Sequence, residues 1–452
     1  MKSEQNTLQA LIDGLHDGGV QIVTNFPGFK SHELFSGLGG KTTSINEKAA
    51  YEIAWGASLA GKRSVVTFKN VGLDDAADPF LNSMLLKINA GLVVVVFDDV
   101  EVTGSQSRQD SRHYFDFFGG LWFEPYSTES AYEIALNSFN YSEKLQVPVV
   151  IRLTNEVLSK SGSYKRSKIR TATKSLKHDK IRFVVHPVNA KLQNKELENK
   201  NLEIRKFVEN LYSKATASGV IAFGDCEREI NALPISRENV FQVYTLPTPN
   251  NTLKKNFAKS KEIKVFEQGT SYGAEKVSAI FSSKEVVSNS GDFVDHSKGH
   301  IITKNYETMF QALKNTKPQL VVGDLGEYTM DNLHSIDACL CFGSAISVSI
   351  GASLAGVKDI FCIIGDAAFL HSGKNVIAEA LERNLKLNII VICNGGSQGT
   401  GGQKIPGDLK TQNKSIISFT EIYDDLNVKK FGVLFEQMKK SKQMAILYLV
   451  KK

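Results

Sequence analysis

Short apolar runs alternate along this chain with segments whose apolar residues recur at helical spacing. Residues 92–97, 360–364 and 387–393 are apolar runs too short for helices, and each is followed at once by Asp, Gly-Asp or Asn. Residues 374–384 place Val, Ile, Ala and Leu on one face of a helix. Runs of this length are typical of buried parallel strands, so the alternation predicts an α/β fold whose sheets are doubly wound, with both faces covered.

This alternation occurs in three separate parts of the chain. At 452 residues the chain is too long for one ordinary core, so more than one domain is expected. Strand patterns are dense near both ends and sparser in the middle, and a segment rich in Lys and Arg separates the first part from the second. We predict an N-terminal domain, a basic linker, a smaller α/β domain and a C-terminal domain at residues 1–158, 159–199, 200–288 and 289–452.

Two of the predicted C-terminal strands end at residues that could hold a metal ion. Asp366 follows the first strand and Asn394 the second, and the 26 residues between Ala367 and Asn394 suffice for one helix and one strand. Because neighbouring parallel strands open onto the same edge of the sheet, we expect Asp366 and Asn394 to converge. With the backbone carbonyl of Gly396, they would provide the oxygen ligands that Mg²⁺ prefers when it holds a diphosphate.

The residues around this predicted metal site carry a family resemblance. Gly365-Asp366-Ala367 followed by Asn394 resembles the motif of thiamine-diphosphate-dependent enzymes, and GDAAFLHSG with NGGSQGTGGQ resembles the alpha subunit of indolepyruvate ferredoxin oxidoreductase more closely. The resemblance covers nearly the whole chain. It implies a pyrimidine-binding domain at 1–158, a transketolase C-terminal-like domain at 200–288 and a diphosphate- and Mg²⁺-binding domain at 289–452. An Asp at one strand end of an unrelated sheet is the alternative interpretation.

The resemblance also implies which residues bind thiamine diphosphate. Gly343 and Ser344 open a helix of small residues, which suits either close packing or a phosphate at the helix N-terminus. The full set of cofactor-binding candidates is Gly365, Asp366, Ala367, Asn394, Gly396, Gly343, Ser344 and His371, and the metal ligands among them are Asp366, Asn394 and Gly396.

Glu47 is the candidate catalytic residue. It opens a predicted helix at 47–60, where an acidic residue is also explained by the helix dipole alone. The segment from Asn46 to Arg63 resembles the one that carries the catalytic glutamate of the family, which lies against the aminopyrimidine ring of the cofactor. We assign that role to Glu47, with Glu52 as the alternative.

Two further polar loops of the first domain match the family. One runs from Phe68 to Leu73 and on to Asp78-Pro79, and the other contains Ser105-Gln106, Gln109-Asp110 and Arg112. The resemblance implies that such loops lie near the cofactor and a subunit interface. Capping of the loops themselves is the alternative.

A third loop departs from the family pattern. Phe29 stands where the related ferredoxin oxidoreductases have the Thr that binds the substrate carboxylate. Lys30 or His32 could supply the missing positive charge, although both are equally explained as surface residues. We therefore take Lys30 and His32 as candidate substrate-binding residues.

The net charge and the apolar runs exclude several classes of protein. The formal net charge of +6 arises at residues 160–182, where nine Lys or Arg accompany one Asp. That segment lacks apolar periodicity, so a solvated linker is a better interpretation than a nucleic-acid-binding patch. No apolar run is long enough to span a membrane, and the first 25 residues carry no signal-peptide pattern. We expect a cytoplasmic protein that binds neither nucleic acid nor membrane.

The cysteines bear on the electron chemistry. The chain has five cysteines, several of them inside apolar runs, and no C-x-x-C pair. We expect reduced thiols and no iron–sulfur cluster in this chain. The family's alpha subunit carries a cysteine-rich, ferredoxin-like C-terminal extension, and we expect this chain to lack it.

The resemblance implies a thiamine-diphosphate- and Mg²⁺-dependent enzyme that decarboxylates a 2-oxo acid with an aryl or branched side chain. Oxidation to an acyl-coenzyme A would require a partner electron carrier, either a second subunit or a ferredoxin. A non-oxidative decarboxylase that releases an aldehyde is one alternative, and a catalytically silent partner subunit is another. Because cofactor-binding domains of different chains usually meet in such enzymes, a homodimer is implied.

Overall fold

The structure of the chain is a computed structural model that describes residues 5–28, 30–102, 110–171, 174–217, 219–232, 234, 236–260, 262–281, 304–396, 398, 403, 406–411 and 413–451. Several motif residues lie outside the described residues: Phe29, Ser105, Gln106, Gln109, and residues 397 and 399–402 of the NGGSQGTGGQ motif. In the described residues, no helix combines the length and the apolar character that a membrane span needs.

A six-stranded sheet forms the N-terminal part of the molecule, and the strands in their order across it are Thr245–Leu246, Leu121–Phe123, Val149–Thr154, Leu92–Asp98, Ser64–Lys69 and Ile22–Asn25. Leu92–Asp98 lies inside the sheet, and all seven of its residues are buried, as expected of a strand covered on both faces. The helices around this sheet are Thr7–Asp17, Ser31–Gly37, Glu47–Leu59, Gly72–Asp75, Ala77–Leu86, Arg112–Phe118, Thr128–Leu145 and Asn155–Leu158.

A smaller parallel sheet of three strands, Lys264–Phe266, Val220–Phe223 and Val240–Val243, forms the middle of the chain. Its helices are Glu227–Asn231, the 3₁₀ turn Arg237–Asn239, Asn250–Phe257 and Tyr272–Phe281. Thr245–Leu246 leaves this unit and pairs with Leu121–Phe123 of the first sheet. The first and second units therefore share a sheet, which sequence periodicity gave no reason to expect.

The third sheet contains five parallel strands in the order Leu320–Gly323, Ile360–Gly365, Asn388–Cys393, Met444–Val450 and Ile416–Ile422. Successive strand residues pack into opposite cores, as Cys362 and Ile363 do. The helices of this unit are Glu307–Thr316, Glu327–Met330, Ala345–Leu354, Asp366–Ala368, the π-helical turn Phe369–Gly373, Lys374–Glu382, Tyr423–Asp425 and Val428–Lys440. Both faces of the sheet are thus covered, and the predicted α/β fold is confirmed.

The predicted linker differs from the expectation of a solvated strand of chain. It contains the short helix Lys180–Phe183 and the first half of the helix Pro187–Leu211. Several of its cations form ion pairs with the two neighbouring units, such as Arg166 with Asp17 at 2.5 Å and Lys160 with Asp225 at 2.6 Å. The part of this helix within the predicted linker was missed because Gln193 is its one buried residue, which leaves no apolar stripe there.

One helix pair joins the first and third units. The helices Glu47–Leu59 and Ala345–Leu354 pack with their backbones in close approach. A Cβ atom built on Gly56 would lie 2.2 Å from the carbonyl oxygen of Val348, and one on Gly351 would lie 1.9 Å from that of Ile53. These two glycines therefore set the distance between the helix that Glu47 opens and the unit that carries Asp366.

Candidate cofactor site

Asp366 and Asn394 meet at one edge of the C-terminal sheet, as the strand pattern predicted. Their strands are parallel neighbours, with Gly365 paired to Ile392. One carboxylate oxygen of Asp366 accepts a hydrogen bond from the N–H of Gly395 at 2.9 Å, and the other accepts from the N–H of Ala367 at 2.7 Å. Burial raises the pKa of Asp366, and these N–H groups lower it. The strand end thus presents a nearly buried carboxylate at the sheet edge.

The side-chain amide of Asn394 lies between this carboxylate and the backbone of Gly396. One end of the amide is 3.2 Å from Asp366 Oδ1 and 3.1 Å from the carbonyl oxygen of Gly396. A nitrogen at that position would donate to both oxygens, whereas an oxygen there would create a cluster of three oxygens. Which atom lies there is an assignment that depends on the neighbours of the amide.

The orientation that satisfies both ends of the amide places its nitrogen toward Asp366 and Gly396, so that the nitrogen donates to both oxygens. Tyr306, whose hydroxyl donates to Glu327 Oε1 at 2.8 Å, is a further hydrogen-bond partner of Asn394. The Asp366 carboxylate and the Gly396 carbonyl thus lie around one donor position, which a cation would take if the amide turned its oxygen toward it. The residues therefore fit Mg²⁺.

The described residues contain no group of three His, Cys, Asp or Glu side chains placed to hold a metal. The group at Asp366 belongs to another class, because it combines one carboxylate with a side-chain amide and a backbone carbonyl. The amide of Asn394 would have to turn its oxygen toward the ion to serve as a ligand. Such a site needs a further anionic ligand, such as a diphosphate, to complete an octahedral coordination shell.

Gly343 and Ser344 lie at the start of the helix Ala345–Leu354, but a carboxylate already occupies that N-terminus. The buried Asp324 accepts hydrogen bonds from the N–H groups of Gly343 at 2.8 Å and Ala345 at 3.0 Å. The Ser344 hydroxyl donates to the carbonyl of Cys341 at 2.7 Å. Of the two interpretations of this helix, close packing is therefore the one that the geometry favours.

His371 lies beside Gly343 in the π-helical turn Phe369–Gly373. Its Nδ1 is 3.1 Å from the hydroxyl of Ser372, which donates to the carbonyl of Gly343 at 3.3 Å. The His371 side chain is exposed. The structure thus brings two of the cofactor-binding candidates, Gly343 and His371, into one contact, with the His371 ring open to a ligand.

Glu47 is the first residue of its helix, and Asn46 caps it by accepting from the N–H of Ala49 at 2.8 Å. The Glu47 side chain is partly buried, and none of the ion pairs within the described part of the chain includes it. Burial, and secondarily the charge of Asp75, raise the pKa of Glu47. A carboxyl group of this kind can hold a proton closer to neutral pH than an exposed glutamate can.

Glu52 is in a different environment from Glu47. Its carboxylate is 1% exposed and forms an ion pair with Lys48 at 2.9 Å. Cys341 Sγ is 3.3 Å from Glu52 Oε1, and Lys48 Nζ is also 3.1 Å from Asp78. Because Glu52 is buried and paired, the structure favours Glu47 over Glu52 as the residue that a cofactor can reach.

Lys30 and His32 lie at the start of the helix Ser31–Gly37. Lys30 forms an ion pair with Glu33 at 2.9 Å, and its side chain is 38% exposed. His32 is exposed, and its ring lies 5.9 Å from the ring of Phe35. The structure therefore gives Lys30 an acidic partner that sequence reasoning did not consider.

The loop residues Asp110 and Arg112 are tied to the middle unit. Both side chains are buried, and Arg112 Nη1 is 2.7 Å from Glu267 Oε2. Asp110 accepts from the N–H of Thr270 at 3.1 Å. For these two residues the structure supports loop anchoring rather than contact with a cofactor.

Sequence reasoning missed two features of the site. Asp324 follows a strand and a glycine, as Asp366 does, and this signal could have identified it as a second buried carboxylate. Glu379 accepts from the Ser44 hydroxyl at 2.9 Å and from the N–H of Ile45 at 3.2 Å. These bonds hold the segment that precedes Glu47 against the C-terminal unit. No sequence signal marks that contact, because Ser44 and Glu379 are 335 residues apart.

Comparisons with known proteins agree with this geometry. Residues 323–445 match the family described as thiamine pyrophosphate enzyme, C-terminal TPP binding domain. The chain is 24% identical to the indolepyruvate oxidoreductase subunit IorA of Methanothermobacter thermautotrophicus and 25% identical to that of Pyrococcus abyssi. The alignments cover 88% and 89% of this chain and 76% of each relative.

Two solved structures share the fold over its whole length. One is a thiamin diphosphate-dependent enzyme from Mycobacterium smegmatis, with a TM-score of 0.56, 12% identity and 99% of both chains covered. The other is the thiamine diphosphate-dependent 4-hydroxybenzoylformate decarboxylase of Rhodococcus jostii, with a TM-score of 0.54, 14% identity and the same coverage. These two structures confirm the fold. The sequence relatives and the matched family confirm the resemblance and the predicted enzyme class, a thiamine-diphosphate-dependent oxidoreductase or decarboxylase of 2-oxo acids.

Proposed function

We propose that this chain is the thiamine-diphosphate- and Mg²⁺-binding subunit of an oxidoreductase that converts a 2-oxo acid with an aryl or branched side chain to an acyl-coenzyme A. The observation that carries the proposal is the convergence of Asp366, Asn394 and the carbonyl of Gly396 at one edge of the sheet, within the segment that matches the cofactor-binding family. The similarity to IorA subunits supports the choice of an indolepyruvate-like substrate.

In this proposal the C-terminal unit binds the diphosphate of the cofactor. Asp366, Asn394 and the carbonyl of Gly396 would hold Mg²⁺, which would neutralise the charge of the diphosphate. Gly365 and Ala367 would bring the backbone close to the cofactor, and the exposed His371, beside Gly343 and Ser344, would face it from the neighbouring turn. When bound, thiamine diphosphate supplies a carbon nucleophile that adds to the keto carbon and allows CO₂ to leave.

Glu47 would hold a proton against the aminopyrimidine ring of the cofactor. A raised pKa suits this role, since a carboxyl group shares a proton with a ring nitrogen best when their proton affinities are similar. The helix N-cap at Asn46 and the contact of Ser44 with Glu379 would keep the carboxyl group in place during turnover.

We also propose that two chains form a homodimer in which Glu47 of one chain faces the diphosphate site of the other. Two exposed apolar side chains on the N-terminal unit support this. Val71, 37% exposed, precedes the turn that contacts Glu47, and Phe117, 67% exposed, lies in the helix whose Tyr114 donates to Asp74 of the same turn. Apolar residues left exposed beside a site are typical of interfaces.

Electrons would leave through a second subunit or a ferredoxin, because we propose that this chain binds no iron–sulfur cluster. All five cysteines are free. Cys339 and Cys341, which a regular strand would place on one face, lie in different cores, because residues around them form only isolated bridges. A reducing, cytoplasmic setting suits these free thiols and belongs to the proposal.

The substrate carboxylate would be bound by Lys30 or His32. Lys30 is held by Glu33, so its charge is partly neutralised before any substrate arrives. If Lys30 makes the contact, Lys30→Met will raise the Michaelis constant of every 2-oxo acid by a similar factor, because the carboxylate is common to all of them. The exposed Lys41 offers a matched control, Lys41→Met.

The proposal is tested by following products by mass spectrometry. The purified chain is loaded with thiamine diphosphate and Mg²⁺ and given indolepyruvate or phenylpyruvate, with and without coenzyme A and a one-electron acceptor. Acyl-coenzyme A that forms only when both are present supports the oxidoreductase. An aldehyde formed without an acceptor would instead identify a decarboxylase. Failure to bind the cofactor would leave the catalytically silent partner subunit as the remaining hypothesis.

A further inference from the structure

The short helix Gly72–Asp75 packs against the first turn of the helix that Glu47 opens. Asp75 accepts a hydrogen bond from the backbone N–H of Lys48 at 3.1 Å. The N–H groups of a first helical turn have no partner within the helix, so this bond satisfies one of them and fastens the two elements together. The contact therefore lies directly beside the candidate catalytic residue.

Gly72 lies under the side chain of Glu47. A Cβ atom built on Gly72 would be 2.5 Å from Glu47 Cγ, 3.0 Å from Glu47 Oε1 and 3.1 Å from Phe68 Cβ. Contacts of 2.5 Å between carbon atoms are not tolerated, so any larger residue would displace the Glu47 side chain. The space that a side chain at position 72 would need is thus occupied by the side chain of Glu47.

The backbone gives no other reason for a glycine at this position. Gly72 is not among the glycines with positive φ, and it opens a helix, where alanine is more favourable than glycine. The cost of a glycine in this helix is therefore offset by the position that it permits for Glu47.

We propose that the Gly72–Asp75 turn positions Glu47 for its contact with the cofactor, with Gly72 providing the space for the side chain and Asp75 fastening the turn to the helix. The inference rests on the proposed function of Glu47 and adds two residues to it. Neither Gly72 nor Asp75 touches the cofactor in this proposal, so both are positioning residues.

The test measures how fast the bound cofactor exchanges its C2 proton for deuterium, followed by NMR after acid quench. This exchange depends on the pyrimidine contact of Glu47 and needs no substrate, coenzyme A or partner subunit. Gly72→Ala should bind thiamine diphosphate and Mg²⁺ with an affinity close to that of the wild type. Its exchange rate should fall about 10-fold to 100-fold, the loss typical of a misplaced catalytic group.

Two further variants make the result specific. Gly432 lies in the helix Val428–Lys440 with no atom near its Cβ position and without a positive φ, so Gly432→Ala is a matched control and should exchange at the wild-type rate. Asp75→Ala should slow exchange less than Gly72→Ala does, because it loosens the turn without displacing Glu47 directly.

Three outcomes would overturn the inference. Wild-type exchange in Gly72→Ala would show that Glu47 does not need the space. Loss of cofactor affinity in that variant would assign Gly72 to packing of the site as a whole. Exchange at the wild-type rate in Glu47→Gln would contradict the proposed role of Glu47 itself. Because this outcome is seen in the Glu47 variant and the first outcome in the Gly72 variant, the two can be told apart.

Discussion

Asp324 and Asp366 follow glycines at the ends of neighbouring strands in the same sheet, yet their surroundings differ. Asp324 is fully buried and accepts from the N–H groups of Gly343, Ala345 and Leu325. Asp366 also accepts from backbone N–H groups, among them those of Ala367 and Gly395, but one of its oxygens shares the Asn394 amide nitrogen with the carbonyl of Gly396.

This difference separates a structural carboxylate from a ligand. The hydrogen-bonding capacity of Asp324 is used by the helix N-terminus that it caps, so it has no need of a further partner. Asp366 shares its amide partner with the carbonyl of Gly396, so a cation that takes the place of the amide nitrogen would find two oxygen ligands already in position. A Gly-Asp pair at the end of a strand therefore does not by itself identify a metal site. The contacts made by the loop that follows determine whether the carboxylate caps a helix or lies beside other ligands.

The largest expected effect is that of Asp366→Ala. Because its carboxylate is the anionic ligand in the proposed metal site, the variant should show no measurable binding of thiamine diphosphate in the presence of Mg²⁺ by titration calorimetry. The exposed Asp424 provides the control Asp424→Ala, which should bind normally. Unchanged affinity in Asp366→Ala would end the assignment of the metal site and the comparison with Asp324.

Asp324→Ala should affect stability instead of binding. Removing the carboxylate leaves buried N–H groups of Gly343 and Ala345 without an acceptor, which costs about 1–3 kcal/mol for an unsatisfied group. The free energy of unfolding, measured in urea, should fall accordingly. Cofactor affinity should stay within the range of the control, and a loss as complete as that of Asp366→Ala would show that both carboxylates act as ligands.

Tyr306→Phe sharpens the comparison, because it removes a hydroxyl that is a hydrogen-bond partner of Asn394 and leaves the rest of the ring. Loss of such a supporting hydrogen bond lowers metal affinity about 10-fold to 100-fold. Titration of the cofactor-loaded protein with Mg²⁺ measures this. Tyr423→Phe, which changes a neighbouring ring 5.7 Å from Tyr306, is the matched control. Equal Mg²⁺ affinity in both variants would mean that Asn394 is oriented without Tyr306.

The smallest effect concerns pH. Burial raises the pKa of Asp324 to about 7 in the folded protein, despite the hydrogen bonds that lower it. The folded state therefore holds a proton that the unfolded state loses between about pH 4 and pH 7, and stability from this group falls as the pH rises through that window, by at most about 1.4 kcal/mol per pH unit. The destabilisation by Asp324→Ala should thus be larger at pH 5 than at pH 8. An equal loss at both values would contradict this.

Much of the molecule follows from local patterns. The strands at 92–97, 360–364 and 387–393 were predicted within one residue at each end, since buried parallel strands are runs of apolar residues that end abruptly. The helix at 180–183 and the part of the helix 187–211 that lies within the predicted linker were not predicted, because helical segments that bury few side chains have no apolar stripe.

For the candidate site, the sequence by itself determined the meeting of Asp366 and Asn394 and the place of Glu47 at a helix N-terminus. Both follow from local order, since parallel strands joined by one helix must end at the same edge. Only the tertiary structure decided that Glu52 is paired with Lys48, that Lys30 is held by Glu33 and that Asp324 caps a helix. It also decided that Gly72 makes room for Glu47. The physical reason is that a side chain's partners come mostly from distant parts of the chain, and the proton affinity and the free space of each group are set by those partners.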